Sequence, residues 1–359
     1  MKTNPNKESL LFVGTYAQKE SEGIYVCTLD GDSGEIRTKG SVSGIENPSF
    51  LTVDSEKAVL YAVSEASFFG EIPGGSVSSY SFSPDDGGLI GLQSVPAHGE
   101  ATCYVSLDPP RRWLLVSNYS GGSVSVHPLD ENGAAGESAD LVRHEGSSVN
   151  KDRQGEPHPH SILTSPSGEY AFVPDLGTDK VEIYKLDGSS GKLTPHGSAA
   201  LAPGAGPRHM AFHPTGRWAY VINELDSTIT AFRYDAGEGR LEEVGTVSTL
   251  PDGFRGTSYA ADLHVHPSGR FLYGSNRGHD SIAVFRIDGE TGRPEPLGHT
   301  PTGGKTPRNF ALSPEGHLLL AANQDSDTVV SFHLDGETGL LKETGYTVRI
   351  PKPVCLVFQ

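Results

Sequence analysis

Short apolar runs that end on a small or polar residue recur seven times along the chain. They read FVGT, YAVS, LVSN, FVPD, YVIN, YGSN and LAAN, and they close at Thr15, Ser64, Asn118, Asp175, Asn223, Asn276 and Asn323. The intervals between these markers are 49, 54, 57, 48, 53 and 47 residues, a period that belongs to repeat architectures. Before most of the runs stands a turn, written SPSG (165–168), HPTG (213–216), HPSG (266–269) or SPEG (313–316), itself preceded by alternating apolar residues such as Met210-Ala211-Phe212. Two such stretches around a Pro/Gly turn predict a β-hairpin. Another alternating stretch follows each run, as in Thr228-Ile229-Thr230-Ala231-Phe232, and leads into Asp-Gly turns: DGDSG (30–34), DGSSG (187–191), DGETG (288–292) and DGETG (335–339). A fourth, outer strand is expected beyond them. Each unit is then a four-stranded antiparallel meander of about fifty residues, which is the blade of a β-propeller. Seven markers predict seven blades in one all-β domain over 1–359.

The chain ends point the same way. The first marker has no strand before it, whereas Pro353-Val354-Cys355-Leu356-Val357-Phe358 reads as an innermost strand with nothing after it. Pairing 353–358 with 10–15 would close the ring and hide two sheet edges that otherwise invite aggregation. The sequence carries no GH…WD signature, helical repeat or leucine-rich motif, which excludes the other common repeat classes. The longest interval holds an insertion, RHEGSSVNKDRQGE (143–156), expected to form a flexible flap or a rim loop.

Composition narrows the function. Gly (44) and Pro (25) favour turns over long helices. The longest apolar runs, Leu10 to Val13 and Leu318 to Ala322, are too short to cross a bilayer. The first residues lack the apolar core and cleavage site of a secretory signal, so a cytoplasmic location is expected. With 28 basic and 45 acidic side chains the net charge is −17, which disfavours nucleic acid and anionic membrane surfaces as partners. Cys27, Cys103 and Cys355 show no CxxC spacing and suggest neither a disulfide framework nor a zinc knuckle. The Asn118-Tyr119-Ser120 sequon reads as part of a turn. A propeller of this size is self-sufficient, and a monomer is expected.

In a blade the innermost strand, A, runs away from one face and the second, B, returns to it. Residues just before A and just after B therefore converge on one rim of the central channel. Before A stand His158 and His160 (HPHS), Arg208 and His209 (GPRH), Asp262 and His264 (ADLH) and Arg308 (TPRN). After B stand Asp175, Asn223 with Glu224, Asn276 with Arg277, and Asn323 with Gln324. Three arginines and several histidines gathered in so acidic a chain predict a site for an anionic small molecule. Scaffold readings compete. Arg208 and Glu224 face each other across one A–B hairpin and could form a structural ion pair. The recurring Asn223, Asn276 and Asn323 suit turn residues that bond their own backbone, although Asn323 stays among the candidate ligand contacts. His213 and His266 belong to turns at the far end of strand A. The HxH spacings at 158/160 and 264/266 raise a metal site, but one contains a proline and the other ends in a turn, so no obligatory metal or other cofactor is expected. No Walker loop, dinucleotide fingerprint or GxSxG elbow is present, which disfavours kinases, dehydrogenases and α/β-hydrolases.

The stretches GAGPRHMAFHPTGRWAYVINEL (204–225), YAADLHVHPSGRFLYGSNR (259–277) and TPRNFALSPEGHLLLAANQ (306–324), with PHPHSI (157–162), resemble the seven-bladed propeller lactonase family. Its bacterial members include 6-phosphogluconolactonases, and fungal carboxy-cis,cis-muconate cyclases share its fold. The resemblance covers essentially the whole chain, and the GPRH…NEL block is its most specific part. It implies hydrolysis of a sugar δ-lactone, with 6-phospho-D-glucono-1,5-lactone of the pentose phosphate pathway as the default substrate. It also implies His160, Arg208, Glu224 and Arg277 as the functional channel residues. A lactonase or cycloisomerase acting on a different, non-phosphorylated acid, or a propeller that only binds a partner on its rim, are the rival readings, since fold alone does not fix function.

On the leading reading His160 is the general base with Asp175 orienting its ring, and Glu224 is the competing base. Arg208 and Arg277 stabilise the oxyanion. Arg308, with Lys305, His209 or His158, holds a phosphate, and Asp262, Asn323 and Asp175 complete the candidate substrate contacts. Arg208→Asn or Arg277→Asn should then lower turnover and leave thermal stability nearly unchanged.

Overall fold

Strand B of every unit is built on a continuous apolar run, which suits a strand covered on both faces, and the structure explains why. A computed structural model describes residues 8–359. Seven four-stranded antiparallel sheets follow one another along the chain, each ordered from an inner to an outer strand. Blade 2 begins with Leu51–Asp54 and Val59–Ser64, blade 3 with Thr102–Leu107 and Trp113–Asn118, blade 4 with Leu163–Thr164 and Tyr170–Asp175. Blade 5 begins with Pro207–Phe212 and Trp218–Asn223, blade 6 with Tyr259–Val265 and Phe271–Arg277, and blade 7 with Pro307–Leu312 and Leu318–Asn323. The apolar clusters lie between neighbouring sheets: Tyr220 and Ile222 of blade 5 pack with Leu263 and Leu272 of blade 6. Strand B is thus buried from both sides, while an outer strand such as Ile36–Val42 is largely exposed.

Blade 1 is assembled from both chain ends. Its inner strand is Pro353–Phe358 and its second is Glu8–Thr15, with Leu11 opposite Phe358, Val13 opposite Leu356 and Gly14 opposite Cys355. This is the expected clasp. Further ties run between blades. Tyr61, Tyr220 and Tyr273 donate from their hydroxyls to the carbonyls of Gly133, Gly292 and Gly339, at 2.8, 3.0 and 2.9 Å. Gly292, at φ +74°, lies against the Trp218 indole of the preceding blade, where a Cβ would collide with the ring. The Asp-Gly turns therefore need glycine for backbone reasons and for packing at once. His213 and His266 bond through Nε2 to the carbonyls of Gly269 and Gly316, both at 2.9 Å, so these turn histidines are also interblade ties.

Two departures from a regular ring matter for the site. Blade 4 has an inner strand of only two residues, and the HPHS segment replaces the rest, joined by a single bridge between Pro159 and Asp175. The insertion crosses the rim as a pinned loop. His144 pairs with Asp175 at 2.6 Å, Ser148 donates to Asp179 at 2.5 Å, and the buried Gln154 donates to the Leu176 carbonyl at 2.9 Å. A small hairpin, Phe68–Phe69 with Ile72–Pro73, also rises from blade 2. The only helical element among the described residues is a 3-10 turn, Gln324–Ser326. No helix among them is long and apolar enough to cross a membrane.

Candidate active site

The rim residues are aimed into the channel by a repeated backbone irregularity. In blade 5 Pro207 faces Asn223 and His209 faces Ile222, so Arg208 is left unpaired between them. The same slip isolates Cys103 between Thr102 and Tyr104, Arg308 between Pro307 and Asn309, and Val354 between Pro353 and Cys355. An extra residue of this kind bends the strand and redirects a side chain. In blade 4, His160 follows the bridged Pro159 and takes the equivalent place. Cys103, His160, Arg208, Arg308 and Val354 all line the floor of one cavity, which narrows there to about 10 Å³, roughly the room of one water.

Above this floor the residues that follow the strand-B markers form a second tier. Glu65, Tyr119, Glu224 and Arg277 line a wider space of about 320 Å³ together with Cys103, His160 and Arg308. That is at the small end of the range for small-molecule sites, about 300–1,000 Å³. Arg153, from the rim loop, reaches into the same space. Below the floor, Phe50 stacks on Tyr104 with ring centroids 4.2 Å apart, and the His209 ring meets both edge-on, which plugs the channel.

Glu224 is the electrostatic centre of the arginines. Its Oε2 lies 2.8 Å from Arg277 Nη2 and 3.2 Å from Arg208 Nε, and its Oε1 accepts from Arg153 Nη2 at 2.6 Å. Burial alone would raise its pKa, but Arg277, Arg208 and Arg153 outweigh that and hold it at about 2. So saturated a carboxylate is a poor general base. Arg208 is itself buried. Its Nη1 donates to the Ala261 carbonyl at 2.6 Å and approaches His209 Nε2 at 3.0 Å, while its Nη2 has no partner among the described residues. Arg308 has no carboxylate in ion-pair range among the described residues, and lies 5.3 Å from the ring centroid of Tyr16.

The histidines differ in role. His160 has Nδ1 3.9 Å from the Cys103 sulfur, and no partner for Nε2 among the described residues. Burial, then Arg208, His209 and Arg308, push its pKa well below the ordinary value, so the ring is neutral at neutral pH. Burial pushes the Cys103 thiol up, which keeps it protonated. His209 donates through Nδ1 to Asp262 at 2.8 Å, and the other Asp262 oxygen accepts from His264 at 3.0 Å and from Asn309 at 2.6 Å. Burial opposes the charge on Asp262, but the two histidines overcome it and keep the carboxylate ionised. The ionised Asp262 fixes the His209 proton on Nδ1 and leaves Nε2 as the acceptor facing Arg208.

The structure therefore brings His160, Arg208, Glu224, Arg277 and Arg308 to one cavity, with His209 and Asp262 just beneath them. It places four candidates elsewhere. Asp175 does not reach the His160 ring. It is wholly buried, paired with His144, and accepts from the amides of His158 and Gly177 at 2.8 and 2.9 Å. His158 stacks on Tyr119 with centroids 4.3 Å apart and bonds its carbonyl, so it supports the wall without lining the cavity. Asn323 is fully buried under the rim, donating to the Thr302 carbonyl at 3.0 Å. Lys305 is exposed and outside the lining. The expectation that Arg208→Asn would spare stability also changes, because that substitution strips a partner from a buried carboxylate. Neither HxH pair converges on a common point, and no group of three potential metal-ligating side chains occurs among the described residues.

Tyr16, Glu65, Cys103, Tyr119 and Arg153 escaped the sequence reading. The first four occupy the same two repeat positions as Glu224 and Arg208, in blades 1 to 3, and the marker register locates them. No spacing rule places Arg153, which arrives from a loop.

A family model described as "Lactonase, 7-bladed beta-propeller" matches residues 10–358. A Bacillus subtilis protein named 6-phosphogluconolactonase is 36% identical, covering 97% of this chain and 97% of its own. A 6-phosphogluconolactonase of Formosa agariphila is 34% identical over 84% of this chain and 86% of its own. Among solved structures, a periplasmic gluconolactonase of Pseudomonas aeruginosa superposes with a TM-score of 0.91 at 34% identity, covering 98% of this chain and 99% of that one.

Proposed function

Because the chain belongs to the lactonase family of seven-bladed β-propellers, we propose that the mouth cavity hydrolyses the ester of an anionic sugar δ-lactone, with 6-phospho-D-glucono-1,5-lactone as the substrate. The observation that carries this reading is the Nε2 of His160, without a partner among the described residues, in a cavity lined by four guanidinium groups and two carboxylates. The four are Arg153, Arg208, Arg277 and Arg308, and the two are Glu65 and Glu224, so the mouth is positive within a chain of net charge −17. The names of the Bacillus and Formosa relatives support the choice of substrate.

His160, being neutral, takes a proton from water through Nε2 as the hydroxide adds to the lactone carbonyl. A general base in this role is worth roughly 10²–10⁴ in rate. The free Nη2 of Arg208, on the floor beside His160, meets the developing oxyanion together with Arg277. Loss of one such donor costs roughly 10²–10³. Collapse of the tetrahedral species breaks the ring C–O bond, and the imidazolium returns its proton to the departing oxygen. Arg308, with no carboxylate in ion-pair range among the described residues, and Arg153 take the phosphate; guanidinium forks suit that geometry. Glu224 acts through the arginines it orients. A non-phosphorylated aldonolactone is the second reading, favoured by the Pseudomonas gluconolactonase.

A proton-release assay on freshly prepared lactone tests this. The wild type should liberate one proton per ester cleaved, and His160→Gln should cut kcat about 10²–10⁴-fold with the melting temperature retained. Full turnover by His160→Gln would remove the base from the scheme.

A further inference from the structure

Glu65 and Glu224 follow the strand-B markers of blades 2 and 5, three steps apart and so as far from each other as a ring of seven permits. Their surroundings are opposite. Glu224 is saturated by three guanidiniums. Glu65 has no cationic nitrogen within 4.0 Å among the described residues, although it lines both the floor and the wider mouth beside Arg308 and His160. Its Oε2 accepts a single hydrogen bond, from the Tyr16 hydroxyl at 3.0 Å, and its Oε1 has no partner among the described residues. Tyr16 is itself fixed, with its ring under the Arg308 guanidinium. Burial above all pushes the phenol up to about 12, so it stays a donor.

A carboxylate in a ligand cavity with an open oxygen is an acceptor in search of donors, and it repels a second carboxylate. Vicinal hydroxyls are the donors that a polyol lactone presents. Resting on the lactonase reading, we propose that Glu65, oriented by Tyr16, is the residue that selects hydroxylated lactones by accepting from the ring hydroxyls while the arginines of blades 5 to 7 hold the anionic end. Lactones without hydroxyls gain nothing from it, and those carrying a carboxylate on that side are turned away.

The test compares D-glucono-1,5-lactam with δ-valerolactam, two non-hydrolysable rings that differ in their hydroxyls, by calorimetric or thermal-shift binding to wild type and Glu65→Gln. Glu65→Gln should weaken the gluconolactam about 10- to 100-fold more than the valerolactam, the value of a hydrogen bond to a charged group. In hydrolysis the kcat/KM ratio of gluconolactone to δ-valerolactone should fall by a similar factor. Tyr16→Phe, which removes only the orienting hydroxyl, should move both ratios the same way by about 2- to 10-fold, and it keeps the test available if Glu65→Gln does not fold. Equal losses for both rings, or no loss for either, overturn the assignment of Glu65. A wild type that discriminates between the lactams but cleaves no lactone overturns the lactonase reading and leaves the binding result standing.

Discussion

Three of the site's titratable residues carry charge states set by burial and neighbours. His209 is held at about 4 against an ordinary 6.5, by burial first and by Arg208 next, with Asp262 opposing. Glu224 is held at about 2 against 4.5. For His209 the unfolded chain binds a proton between pH 6.5 and 4 that the folded chain does not, so stability falls as the pH drops through that window. Glu224 adds a loss in the same direction below pH 4.5. The melting temperature should therefore decline on acidification from pH 7 to 4, and His209→Gln should flatten the decline between 6.5 and 4; an unchanged slope in that variant would place the acid sensitivity elsewhere. His160 has the same sign: the acid limb of kcat/KM should lie below the pH at which a free imidazole titrates.

At the level of strands, the bulge at the rim end of strand A decides what the cavity sees. In blades 1, 3, 5 and 7 it turns one residue toward the axis and leaves the next to pack sideways, which is why Arg208 faces substrate space and His209 the plug. Under that rim three of the four marker asparagines share one job, while Asn223 donates to Thr228 and Thr230 of its own blade. Asn118, Asn276 and Asn323 donate to the carbonyls of Ala97, Thr249 and Thr302 at 3.2, 2.7 and 3.0 Å, tying strand B to the end of the preceding blade. Asn323→Ala should accordingly cost about 1–3 kcal/mol in unfolding free energy and leave KM unaltered; a raised KM at unchanged stability would return Asn323 to the ligand. The period, the clasp and the convergence of Arg208, Glu224, Arg277 and Arg308 are readable because repeat register maps directly onto position in a closed ring. Glu65 and Cys103 are subject to the same map, but their blades lack the HP or SP turns that make the register conspicuous. Asp175 is misread because a loop histidine, His144, captures it, and no local pattern announces that capture.

The whole molecule is a closed ring of seven sheets, fastened by the pairing of Leu11 with Phe358 and its neighbours. Closure fixes the seven inner strands around one axis, so side chains as distant in sequence as Tyr16 and Arg308 come into contact. It also concentrates positive charge at one end of an acidic body: three of the four guanidiniums pair with Glu224, and Arg308 has no carboxylate within 4.0 Å among the described residues. That unpaired guanidinium is the group on which phosphate recognition rests. The most direct measurement is the ratio of kcat/KM for 6-phosphogluconolactone to that for unphosphorylated gluconolactone, in the wild type and in Arg308→Gln. The wild type should prefer the phosphorylated lactone, and Arg308→Gln should reduce that preference by about 10- to 100-fold. A wild type indifferent to the phosphate, or an Arg308→Gln variant with the preference intact, would contradict it.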